Sequence, residues 1–213
     1  MKRGTHFLMA SCGALLLAVM LNGCSALKGL PSALSDLKRL QFKLDNVNNF
    51  SLNGVNLQRA ASKGEINLMD IGRLTSAFAT RSLPAQFTLN VAVRNPNDGT
   101  AGRPATNLFL RRISWTLLID DRTTINGVTD QRLEVPGTGQ TAIIPITMNL
   151  DLYKFFGDRG FDDLLNLALA IGGAQGSSSR LKLTARAMVE VPPLAAFEYP
   201  GDITIVNTSF SNP

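Results

Sequence analysis

Four features combine residue types and spacings that could do chemistry: the acidic pairs Asp120-Asp121 and Asp162-Asp163, the arginines Arg94, Arg103, Arg111 and Arg112, the amide turn Asn95-Pro96-Asn97, and Cys24 behind an apolar leader. Paired carboxylates can share a proton or a cation when both aim at one point. Consecutive strand residues face opposite ways, which disfavours that arrangement for Asp120-Asp121. Asp162-Asp163 fall in a first helical turn, where acids complement the helix dipole. Both pairs are therefore expected to be structural. The arginines flank the amide turn with only Asp98 against them, so a basic patch able to meet anionic lipid headgroups is expected there. Side-chain amides at Asn95 and Asn97 can satisfy loop backbone, and this turn too reads as structural rather than as a ligand site.

The leader takes most of the remaining chemistry with it. Lys2 and Arg3 precede an apolar run from Phe7 to Leu21, the pattern of a secretory signal over residues 1–23. The run is shorter than the roughly 20 residues a helix needs to span a bilayer. Leu21-Asn22-Gly23-Cys24 resembles the lipobox of bacterial lipoprotein precursors, which implies cleavage after Gly23 and acylation of Cys24. His6 and Cys12 leave with the leader, so the remaining 190 residues hold no histidine and no cysteine besides Cys24. That inventory excludes internal disulfides, Cys/His zinc centres, Ser-His-Asp triads and Cys-His nucleophiles. No metal, cofactor or catalytic residue is expected. Loss of Lys2 and Arg3 lowers the net charge from +5 to +3, with 19 basic against 16 acidic residues. That balance is too even to mark a nucleic-acid binder.

Residues 24–36 comprise the lipidated cysteine and a tether without sustained periodicity, and the domain occupies residues 37–213. Leu40, Phe42 and Leu44 alternate with polar neighbours as in a strand buried on one face. The pattern continues through Phe50 and Leu57, past a turn expected at Asn48-Asn49 and a bulge at Gly54. Ile71, Leu74, Ala77 and Phe78 share one face of a short helix expected over residues 70–80 and capped by Asp70. Phe87, Leu89, Val91 and Val93 alternate in a strand that Asn95-Pro96 stops. The next strand has a bulge near Arg111-Arg112 and turns Trp115 inward. After Asp120-Asp121 its hairpin partner runs from about Thr123 to Val135, with Gly127 interrupting it. Residues 142–152 alternate again, and Pro145 marks an edge or a bulge. Residues 161–171 form an amphipathic helix closed by Gly172-Gly173, and residues 181–191 and 197–210 supply the last strands. Seven or more short strands separated by turns specify an all-β antiparallel sandwich with one or two accessory helices.

The segment Phe87-Thr88-Leu89-Asn90-Val91-Ala92-Val93-Arg94-Asn95-Pro96-Asn97 leads into a long aromatic-containing strand, a glycine-bearing hairpin and a Pro-Gly turn. Over about Leu40 to Val191 this order resembles the late-embryogenesis-abundant (LEA) type 2 family, also called the water-stress and hypersensitive-response domain. The resemblance implies an immunoglobulin- or fibronectin III-like sandwich serving as a non-enzymatic stress-protective or binding module. Bacterial members of that family are often lipoproteins. The stretch from about Arg59 to Leu83 is longer than a minimal domain needs.

These readings predict a non-catalytic envelope lipoprotein. Ser25 after the acylated cysteine points to the outer membrane, with the domain facing the periplasm and anionic lipid or an envelope protein as partner. A second reading is a carrier or assembly component that takes a lipid or other apolar ligand into the sandwich or beneath the 161–171 helix. That reading requires a large apolar pocket there.

Overall fold

Period-2 burial dominates five of the long strands: β1 (Gln41–Leu52), β3 (Pro84–Arg94), β4 (Leu108–Ile119), β6 (Thr141–Asp151) and β7 (Leu181–Glu190). β5 (Arg122–Val135) is mostly exposed, and β2 (Val55–Asn56), β8 (Phe197–Glu198) and β9 (Ile203–Ile205) are short. The computed structural model describes residues 35, 37–100, 104–174, 180–199 and 201–206. The leader, Cys24, nearly all of the tether, Arg103 and Phe210 lie outside the described residues. The chain divides into units 1–37 and 38–213, and all the strands above belong to the second.

One sheet, A, has the order β2-β1-β3-β6. The other, B, runs β5-β4-β7, with β8 and β9 both along the far side of β7. Every pairing is antiparallel. Phe42, Leu44, Phe87, Leu89, Val91 and Ile146 of sheet A face Leu110, Leu117, Leu183, Ala185 and Val189 of sheet B across a core from which water is excluded. Each such aliphatic or aromatic side chain stabilises the fold by about 1.5–3 kcal/mol. The protein is an all-β sandwich, as the alternation predicts.

The helices gather at one end of it. α1 (Leu68–Ala79) precedes β3, α2 (Leu152–Phe156) follows β6, and α3 (Phe161–Gly172) packs on β1. α3 buries Leu164, Leu165, Ala168, Leu169 and Ile171, and Gly172 comes so close to the Phe50 ring that no side chain would fit between them. The first residues of β1 and the Asn95-Pro96-Asn97 turn lie at the opposite end, because β1 and β3 are antiparallel with Gln41 opposite Arg94.

Several local expectations are corrected. β1 does not turn at Asn48-Asn49. Asn49, at φ +55, sits in a register irregularity between Asn48 and Ser51, and the reversal falls at Asn53-Gly54, both with positive φ. Gly54 is thus a turn residue rather than a bulge. α1 starts two residues earlier than expected. Its cap is Asn67, whose side-chain oxygen accepts from the Asp70 amide at 2.8 Å while its own amide donates to the Asp70 carboxylate at 2.6 Å. Leu152 leaves the strand pattern to begin α2, capped by Asp151. Among the described residues, the segment from residue 197 forms the short strands β8 and β9. Gly127 does not interrupt β5, for a reason given below.

Each sheet edge is blunted. Sheet A ends on one side in the two-residue β2 and on the other in β6, where Pro145 offers no N–H to an incoming strand. β5 carries an extra residue relative to β4 in two places, between Asp130 and Leu133 and between Thr123 and Asn126, and such bulges twist an edge away from flat pairing.

Candidate functional site

Asn95 and Asn97 are the buried polar residues of the described chain. Pro96 ends β3 and holds them apart, so their side chains turn back into the sandwich. The Asn95 amide donates to the carbonyl of Thr106 at 2.7 Å and, at 3.4 Å, to that of Val135, the last residue of β5. Its oxygen accepts from the Asn97 amide at 3.0 Å, closing an Asx turn over the proline. The Asn97 side-chain oxygen accepts from the Arg39 guanidinium at 2.9 Å, and the Asn97 carbonyl from the Thr106 amide at 3.1 Å. Thus one residue of sheet A bonds two backbone carbonyls on the sheet B side. Both bonds satisfy backbone carbonyls at this end of the sandwich.

Around this clamp, hydrogen bonds from the Thr100 hydroxyl and amide hold the Asp98 carboxyl below its usual range, with a smaller contribution from Arg39. Asn107 accepts from the Gly137 amide at 2.8 Å and donates to Glu134 at 3.0 Å. Gly137 is required at this point, since an added Cβ would meet the Thr106 nitrogen at 2.6 Å and the Asn97 carbonyl at 2.7 Å.

The arginines are held on different sheets. Arg94 bonds Gln41 across β1 and β3, in sheet A. Arg111 pairs with Glu190 of β7 at 2.9 Å, in sheet B, and Arg132 shares that carboxylate at 3.2 Å while its guanidinium lies 3.5 Å from the Phe109 ring centre. The exposed Arg112 has no ion pair among the described residues. The fourth predicted member, Arg103, is outside them.

Both acidic pairs are engaged in structure. Asp120 and Asp121 form a two-residue hairpin turn with φ +48 and +59, so they do not sit on a strand at all. Asp120 accepts from Arg159 and Arg180, each at 3.1 Å, and Asp121 from Lys182 at 2.6 Å. Asp162, in the first turn of α3, pairs with Lys63 at 2.5 Å, and the exposed Asp163 lies beside it. No group of three metal-ligating side chains occurs among the described residues.

Trp115 fills the inward space over Gly127. A Cβ there would lie 2.5 Å from the indole ring, and the indole N–H donates to the Thr129 hydroxyl at 3.1 Å. Gly127 therefore stays in the strand because its cross-strand partner needs the room. The gap between the sheets, lined by Phe42, Val91, Ile113 and Leu183, measures about 10 Å³. The depression beside α3, about 370 Å³, is open and is lined by Arg159, Asp163, Asn166, Leu167 and Arg180. Among the described residues one buried side-chain group is without a hydrogen bond, the Tyr199 hydroxyl, and burial pushes its pKa up to about 12.

No protein-family model and no curated protein matches the chain. Similar solved structures include a candidate LEA protein, 11% identical over 98% of this chain and 94% of that one, with a TM-score of 0.35. A protein from Archaeoglobus fulgidus is 9% identical over 57% of this chain and 83% of its own, and a candidate ApaA protein from Bordetella pertussis 10% identical over 78% and 96%, each with a TM-score of 0.30. At these values the likeness assigns neither a family nor a function.

Sequence reasoning did not anticipate Arg39, which ties the start of the domain to Asn97 and to the Pro96 carbonyl at 3.4 Å. Nothing local to a lone arginine ahead of a strand announces a partner 58 positions away. Asn107 was likewise unforeseen, although an amide at the head of a strand opposite a Pro-Gly turn is a usable signal.

Proposed function

We propose that this chain is a non-catalytic lipoprotein that presents a closed β-sandwich at a bacterial membrane surface, as a stress-protective or partner-binding module. The observation that carries the reading is the spending of the most distinctive motif, Asn95-Pro96-Asn97, on the fold itself, beside an acylation motif at Cys24. Lys38 and Arg39 precede β1 at the clamp end of the sandwich. No helix among the described residues is long and apolar enough to cross a membrane, and the several acyl chains of a lipoprotein would hold the domain at the surface instead. The outer membrane, the periplasmic orientation, and anionic lipid or an envelope protein as partner belong to this same reading. The carrier alternative gains no support from the gap between the sheets, which among the described residues measures about 10 Å³.

Metabolic labelling with an alkyne fatty acid, followed by intact-mass measurement, tests the anchor. The wild-type chain is expected to carry label on a mature N-terminus at Cys24, and Cys24→Ser to carry none. Unlabelled wild-type protein cut elsewhere would overturn the reading.

A further inference from the structure

α1 belongs to the stretch that exceeds a minimal sandwich, and it gives the core only Leu74 as a fully buried residue. Ile71, Ala77 and Phe78 lean on the domain beside it, and Phe78 meets the rings of Tyr153 and Phe161 at 5.2 and 5.7 Å. At 100° per residue, the sector opposite Leu74 is made by Leu68, Met69, Gly72, Ser76 and Ala79, all exposed and none charged. Leu68 and Met69 are 86% and 80% exposed, whereas the next most exposed large hydrophobic, Val128, is at 49%. A surface helix normally turns charged residues to water, and adjacent large apolar residues on its outer face mark a surface that a partner covers. Its one outer-flank charge, Arg73, is already paired with Asp70 at 3.6 Å.

We propose that α1 is a self-docking element, over which a second copy of the chain lays its own α1 in antiparallel orientation. The outer face is graded in size. Leu68 and Met69 stand at the N-terminal end, and Ser76 and Ala79 at the C-terminal end. A two-fold axis near Gly72 places each large pair over the partner's small pair, whereas a parallel arrangement would set large on large and leave a gap at the other end. Gly72 has nothing within 4 Å of its Cβ position, so the helices can approach closely at the axis. The two helix dipoles then oppose each other, which is the favourable sense. A lipid surface fits less well, because Glu65, Asp70 and Asp162 accompany Lys63 and Arg73 around this face and leave no positive excess. A helix of this length buries less than the roughly 1,000 Å² of a stable interface, so the dimer is weak and dependent on concentration.

Sedimentation velocity of the full chain, in detergent with micelles in excess over chains, tests this. The mass of the wild type is expected to rise from monomer toward dimer with concentration. Met69→Glu and Ala79→Lys should each remain monomeric at every concentration, and their equimolar mixture should recover association, because only the antiparallel register sets the new carboxylate beside the new ammonium. Thermal melting of both variants should match wild type, and Leu68→Ser provides a third, uncharged disruption. A wild type that stays monomeric, single variants that associate as the wild type does, a mixture that fails to recover, or association only with added vesicles would each overturn the proposal.

Discussion

Asn95 donates its side-chain amide to the Thr106 carbonyl at 2.7 Å, joining the exit from β3 to the approach to β4 and so linking one sheet to the other. The same amide reaches Val135 at the end of β5, and the same side chain accepts from Asn97. All three bonds lie within the sandwich end, and together they use both amide hydrogens of Asn95 and one lone pair of its side-chain oxygen within the fold. The chemistry that looks like a site is the fastening of the fold.

Gly137 closes the clamp from the other side, where the three atoms nearest an added Cβ are all backbone atoms, of Thr106 and Asn97. Backbone cannot step aside as a flexible side chain can. Gly137→Ala is therefore expected to destabilise the domain by about 2–3 kcal/mol, read as a lower urea midpoint at unchanged slope.

The Asp120-Asp121 turn gives substitutions of opposite sign. Asp121, at φ +59, is held in a conformation glycine adopts without strain, and its one bond is to the exposed Lys182. Asp121→Gly should gain about 0.5–1 kcal/mol. Asp120→Gly relieves the same backbone but removes the acceptor of Arg159 and Arg180, and should lower the melting temperature. Differential scanning calorimetry of the two variants checks both signs.

Gly127→Ala sets a methyl group 2.5 Å from the Trp115 ring. The indole must tilt and lose its bond to Thr129. The expected result is a loss of about 1–3 kcal/mol together with a red-shifted emission from the single tryptophan.

Tyr199 is buried against Phe42, with ring centres 6.5 Å apart, and its hydroxyl has no partner. Tyr199→Phe should cost nothing and can stabilise by about 1 kcal/mol. Burial raises the pKa of this group from 10.0 to about 12 in the folded protein. The folded state then holds the proton more tightly than the unfolded one. The contribution is fully present below pH 10 and is lost as pH rises through about 12, so stability falls with pH across that window. Alkaline melts of wild type should steepen there relative to Tyr199→Phe.

The sandwich was legible because burial on one face imposes a period of two, and Phe87 to Val91 or Leu181 to Val189 show it without interruption. Reversals were less so. Asn48-Asn49 and Asn53-Gly54 are both good turn sequences, and which one turns depends on where β3 ends its pairing with β1. Gly127 looked like a break, since no local rule says that a tryptophan 12 positions earlier will occupy its missing side chain. The four arginines are close in sequence, yet Arg94 and Arg111 lie on either side of the β3–β4 crossover, which carries them to different sheets.

The most direct test is the unfolding free energy of Asn95→Ala and Asn95→Asp beside wild type. A carboxylate keeps the acceptor for the Asn97 amide but cannot donate to Thr106 or Val135, and it buries a charge against two carbonyls. The account predicts a loss of about 3 kcal/mol for Asn95→Ala and at least as much for Asn95→Asp. An Asn95→Asp protein as stable as wild type would contradict it.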